Sequence, residues 1–204
     1  MVPPPNPPGA PPASQPFASA ATRALLLRAT AYHEAGHAVV AWRCGKPLLG
    51  GVRIRLDRPG TGSVLTPGYL IPPLAQVPAE QRPALLRRLR AECSELLAGS
   101  LAEARALGRR GAALAGDDTR RALLLLRHAH GCIDLVAELH LVVHVRATRR
   151  LLRRPEVWRA VTALAEQLIA HGAVGAGAAA ALLRASGLAP LPSRYLAAGA
   201  APTS

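Results

Sequence analysis

AYHEAGHAVVAW, residues 31–42, decides how the rest of the chain is read. It sits inside a longer run, about 19–44, where Leu25, Leu26, Ala29, Tyr32, Ala35, Gly36, Val39 and Val40 recur at helical spacing. Gly45 and Pro47 end that run. On this helix His33 and His37 are i and i+4, so both imidazoles lie on one face and can converge on a single ion. Tetrahedral Zn²⁺ accepts imidazole nitrogen readily. Glu34 is displaced around the helix from His33, where it reaches a metal-activated water rather than the metal. There it acts as the catalytic base, taking the water's proton and later delivering a proton to the leaving amine. The metal lowers the water's pKa and polarises the scissile carbonyl. With seven His and eight Glu in 204 residues, chance places HExxH only about 0.01 times. The competing reading is two His and a Glu on a solvated helix face.

A catalytic zinc needs a third protein ligand and one open position for water. Asp117 and Asp118, in GDDTRRA (116–122), lie at a predicted loop-to-helix junction. Acidic residues there are also ordinary helix caps, and residue type alone leaves ligand and cap equal. Glu92, Glu95 and Glu103 are further alternatives for the third ligand.

Outward from the motif, Val52, Ile54 and Leu56 alternate with Arg53, Arg55 and Asp57, which predicts a half-buried strand. RPGTG (58–62) is a turn and SVLT (63–66) a returning strand, so the two make a small β-hairpin. Pro67, Gly68, Pro72 and Pro73 mark a loop. The remainder reads as helix: one or two over 79–107, with Pro83 tolerated in the first turn, then 117–130, 134–153, 156–171 and 175–186. GRRGAALAG (108–116) is a loop. The expected fold is mainly α with one small β-hairpin after the zinc-binding helix.

Half of the 204 residues are apolar, which excludes a disordered chain and allows a sizeable core. The expected organisation is a Pro-rich leader (1–18), one domain (19–188) and an Ala- and Pro-rich flexible tail (189–204). No window reaches the roughly 18–20 apolar residues of a membrane span, so none is expected. Residues 1–20 have neither a basic nor an apolar signal region, and a cytoplasmic location is expected. Cys44, Cys93 and Cys132 have no CxxC spacing and read as reduced core thiols. The net charge of +13 raises an acidic partner such as nucleic acid. Against that, Lys46 is the lone lysine among 25 basic residues, and aromatics make up only 3% of the chain, too few for base-stacking platforms. Nucleic acid is therefore not the expected partner, and the arginine pairs, among them Arg109, Arg149 and Arg153, read as solvated helix faces.

The chain resembles the protease domain of the FtsH-type ATP-dependent zinc metalloproteases. AYHEAGHAVVAW (31–42) is similar to the family's zinc helix, and VRIRL (52–56) with the following GxGSV is similar to its short hairpin. LLAGSLAEA (96–104) resembles its L-G-G-R-A-A-E-E helix, and GDDTRRA (116–122) its G-A-x-N-D-L-x-x-A segment. WRAVTALAEQLIAHGAVGAGAAAALL (158–183) resembles its late helices, so the likeness covers roughly 24–186. The resemblance implies an FtsH-type fold, a zinc metalloendopeptidase that cleaves unfolded or loose polypeptides, and His33, His37 and Asp118 as the metal ligands. Matching with Ala122 as the anchor puts the family's third ligand on Asp118 and leaves Asp117 in the Asn position. It also implies a homo-oligomer, hexameric in the family. The 204 residues contain no GxxxxGK[ST] phosphate loop, so ATP dependence is not carried over and a separate ATPase or unfoldase partner is implied instead.

Two rival functions accompany this reading: a catalytically silent zinc-fold interaction module, and a basic nucleic-acid-associated protein. His140 and His144 also have i, i+4 spacing, but lack a Glu at the second position and read with His128 and His130 as structural or surface histidines. Tyr32 and Trp42 read as core. The hairpin edge at 61–66 is a candidate acceptor for an extended substrate by strand addition.

Overall fold

The computed structural model describes residues 19–109 and 116–191. The 1–18 leader, most of the 189–204 tail and the centre of the 108–116 loop lie outside the described residues. The described residues form six helices, α1 (Ala20–Arg43), α2 (Arg82–Ala106), α3 (Asp117–His130), α4 (Asp134–Arg153), α5 (Pro155–His171) and α6 (Ala176–Ala185). With them run three short strands, β1 (Val52–Ile54), β2 (Gly62–Val64) and β3 (Ala173–Val174), and a 3₁₀ turn over Leu74–Gln76. The mainly helical expectation holds. No helix among the described residues is long and apolar enough to cross a membrane.

Local chemistry sets the helix ends. Ser19 caps α1, its hydroxyl accepting from the Thr22 N–H at 3.2 Å. Pro83 and Pro155 stand in the first turns of α2 and α5, where a missing N–H costs nothing. Within 79–107 there is one helix rather than two, α2 over Arg82–Ala106. α3 and α5 end on Gly131 and Gly172, both left-handed (φ 58° and 74°).

The hairpin is shorter than the alternation predicts, and a third strand joins it. β1 pairs antiparallel with β2 (Val52 opposite Val64, Ile54 opposite Gly62) and with β3 (Val52 opposite Val174), giving the order β2-β1-β3. Beyond Ile54 the chain turns, with the Arg55 N–H donating to the Thr61 carbonyl at 2.9 Å. β3 is two residues long between two helices, too short to show a period of two. Because β1 is central, β2 is an edge strand beside α1.

α1 and α2 pack closely through small residues. A methyl group added at Gly36 would lie 2.6 Å from the Ala98 carbonyl oxygen and 2.7 Å from the Ala102 Cβ. That contact brings the HExxH face of α1 against the middle of α2. Around the crossing, Val39, Leu97, Leu164 and Leu168 are fully buried in the main core, each burial contributing roughly 1.5–3 kcal/mol. Tyr32 belongs to this core and stacks on Trp158 at 5.7 Å between ring centres. A smaller cluster of Ile71, Leu85, Leu89, Cys93, Leu126, Ala129 and Ala137 fixes α3 against α2. The three thiols are free, and burial pushes the Cys44 and Cys93 thiols up to about 11 and about 12. His130 and His140 stack at 3.9 Å and do not join His144 in a metal-ligand group.

Candidate metal centre

The close crossing places His33 and His37 over Gly99 of α2, and the start of α3 brings Asp118 to the same point. The two Nε2 atoms are 3.1 Å apart. Asp118 Oδ2 lies 3.4 Å from His33 Nε2 and 3.2 Å from His37 Nε2. Among the described residues this is the one His/Cys/Asp/Glu group compact enough to share an ion. Four ligands at about 2.0–2.1 Å around zinc are separated by about 3.3 Å, which the three observed spacings match.

The far side of each imidazole fixes its tautomer. His37 Nδ1 lies 2.8 Å from the Glu95 carbonyl oxygen, which can only accept, so Nδ1 carries the hydrogen. His33 Nδ1 lies 3.3 Å from Glu103 Oε2, again an acceptor. Both Nε2 lone pairs therefore face each other and a carboxylate oxygen. Three acceptors converging on one point repel unless a cation or a proton sits among them. Carbonyl and carboxylate partners behind metal-binding imidazoles are the usual orienting arrangement. The imidazoles hold the Asp118 carboxyl well below the usual carboxylate range. Burial works to lower the His33 pKa, but Asp118, Glu34 and Glu103 outweigh it and leave it raised.

Gly99 makes the space. A methyl group there would lie 2.3 Å from His37 Nε2 and 2.7 Å from His33 Nε2. Gly62 of β2 does the same for Glu34, since its methyl would lie 2.5 Å from Glu34 Cγ. Glu34 is buried, and burial raises its pKa against the opposing pull of His37 and His33.

The structure separates the acidic alternatives. The Asp117 side chain is 90% exposed and 3.7 Å from Arg120 Nη2, whereas that of Asp118 is 25% exposed and reaches both imidazoles. Glu103 stands behind His33 rather than beside the ion position. Glu92 and Glu95 are engaged with Lys46, whose ammonium is 2.9 Å from Glu92 Oε1 and also bonds Glu95 Oε2. We expect Asp118→Ala to lose bound metal at stoichiometric loading and Asp117→Ala to keep it. Metal content after gel filtration reads this, and equal retention by both would remove Asp118 from the ligand set.

The Lys46–Glu92–Glu95 cluster was not foreseen as a unit, although the lone lysine of the chain was visible. Its side chain is 1% exposed. Thr66 Oγ1 donates to Glu95 Oε1 at 2.5 Å and the Tyr69 N–H to Glu92 Oε1 at 2.7 Å, so both carboxylates are held from two sides. Burial lowers the Lys46 pKa, but the two carboxylates more than offset this and raise it. Lys46→Met strands two carboxylates, and removing one partner of a buried pair costs about 3–5 kcal/mol. The urea midpoint is expected to fall accordingly, and an unchanged midpoint would show the pair adds nothing.

Two cavities meet at Glu34. One of about 460 Å³ is lined by His37, Asp118, the β2 edge and the Lys46 cluster. The other, about 410 Å³, runs past Leu26, Thr30 and Thr61. His33, Glu34 and Gly62 line both. No family model matches the chain, and a search of curated proteins returns no match.

Proposed function

We propose that the chain is a zinc metalloendopeptidase similar in fold and site to FtsH-type protease domains. The observation that carries this reading is the convergence of three acceptors, His33 Nε2, His37 Nε2 and Asp118 Oδ2, with Glu34 beside them. The donor set of two imidazoles and one carboxylate suits Zn²⁺ and leaves a fourth position open. Bound there, Zn²⁺ would polarise a scissile carbonyl and acidify a water.

The protein's own groups do the rest. Glu34 accepts the proton of the attacking water and returns it to the leaving nitrogen; burial raises its pKa towards the range a general base needs. Glu103 and the Glu95 carbonyl hold the imidazoles in the ligating tautomer. Cavities on both sides of Glu34 accommodate chain on both sides of the cleaved bond, which favours internal cleavage of loose polypeptide over trimming of ends. The β2 edge between them offers backbone groups to an extended substrate. Pro substitutions along that edge that left cleavage unchanged would remove this part of the reading. A homo-oligomer and a separate unfoldase belong to the same proposal through the FtsH resemblance.

The test is casein cleavage by the purified chain, with and without a chelator. Cleavage should stop on metal removal and return with added Zn²⁺. Cleavage that persists in chelator would overturn the proposal.

A further inference from the structure

A second cleft lies away from the metal centre, between the last turns of α2 and α4. It measures about 300 Å³ and is lined by Leu101, Ala104, Leu152 and the arginines Arg105, Arg109, Arg149 and Arg153. The arginines come as two i, i+4 pairs, Arg105 with Arg109 and Arg149 with Arg153. Like charges at that spacing destabilise a helix, which applies to Arg149 and Arg153 on α4; Arg109 lies just beyond the end of α2, after the left-handed Gly108, and all four share one cleft with no acidic residue in its lining.

The charges are poorly compensated. Among the described residues no carboxylate lies within 4 Å of Arg105, Arg149 or Arg153. Arg109 Nη1 is 3.7 Å from Glu103 Oε1, and that carboxylate already serves His33. Arg105 is spread over the Trp158 ring at 4.0 Å and donates to the Leu152 carbonyl. Burial, and then the charge of Arg153, lower the Arg105 pKa. Arg105 and Arg153 thus repel each other, and Arg109 and Arg149 line the same concave space.

We propose that this cleft binds a diphosphate group, each arginine pair taking one phosphate. Guanidinium forks match phosphate oxygens bidentately, and two pairs on facing walls fit two linked phosphates better than one. The apolar floor of Leu101, Ala104 and Leu152 restricts water around the contacts, which strengthens them. The diphosphate is either free inorganic pyrophosphate or the diphosphate arm of a nucleotide.

The test is calorimetric titration of the full chain with inorganic pyrophosphate, orthophosphate and ADP. Pyrophosphate should bind one to one and at least tenfold tighter than orthophosphate. ADP binding as tightly as pyrophosphate marks a nucleotide arm, and weaker ADP binding marks free pyrophosphate. Arg149→Ala with Arg153→Ala should weaken binding at least tenfold. Both residues are exposed and alanine favours helix, so the fold is retained. Arg120→Ala, a basic residue elsewhere, and Asp118→Ala, at the metal centre, should leave it unchanged. Trp158 under Arg105 gives a second readout, a change in indole fluorescence on saturation. Absence of saturable binding, equal loss in Arg120→Ala, or loss in Asp118→Ala would overturn the assignment. So would a DNA duplex that binds tighter than pyrophosphate and depends on the same two arginines.

Discussion

Glu34→Gln is expected to lower casein cleavage by about 10²–10⁴-fold, the range supplied by a positioned general base, while zinc stays bound at one per chain. The substitution keeps the shape of a side chain that fits under Gly62, where a methyl group on the glycine would lie 2.7 Å from Glu34 Oε1. It removes only the capacity to take a proton. The three atoms proposed to hold the ion belong to other residues, so metal content and thermal midpoint should hold within error. Loss of zinc together with activity would make Glu34 a structural member of the site. Full activity in the variant would place the base elsewhere.

Gly99→Ala is expected to separate the site from the fold. In a helix interior the change is favourable by about 0.8–1.0 kcal/mol. At this position, however, the added methyl would sit 2.3 Å from His37 Nε2 and 2.7 Å from His33 Nε2. Both clashing atoms are at the ends of side chains that can rotate away, so the backbone need not move. The imidazoles lose their shared focus, and zinc affinity should fall at least 100-fold. Loss of the hydrogen-bond partner behind a ligating imidazole alone already costs about 10–100-fold in metal sites. The thermal midpoint of the metal-free protein should stay within a few degrees of the parent. A variant that binds zinc normally would show that the imidazoles do not depend on this glycine.

What could be read from residues alone follows from how local each signal is. The helix that carries HExxH depends on a period of 3.6 within one segment, and α1 forms there as expected. Asp117 and Asp118 could not be separated by residue type, because both fit a helix start. The FtsH resemblance implies Asp118; in the structure α3 turns Asp118 toward the imidazoles and Asp117 into solvent. β3 was invisible because two residues carry no periodicity, and its pairing depends on α5 returning the chain to β1. Glu103 was considered as a ligand. Its place behind His33 depends on how far along α2 the helices cross, a tertiary property set by Gly36 against Ala98 and Ala102. The partnership of Lys46 with Glu92 and Glu95 is likewise non-local, although a lone lysine between Gly45 and Pro47 was its available signal.

We propose that one Zn²⁺ sits among His33, His37 and Asp118. This placement is tested most directly by zinc-edge anomalous diffraction, or zinc X-ray absorption, on the full chain after metal reconstitution. One zinc per chain is expected, about 2.0–2.1 Å from two imidazole nitrogens and from one carboxylate oxygen, with the carboxylate signal lost in Asp118→Ala. Zinc bound through another set of residues, or no zinc at this position under saturating metal, would contradict it.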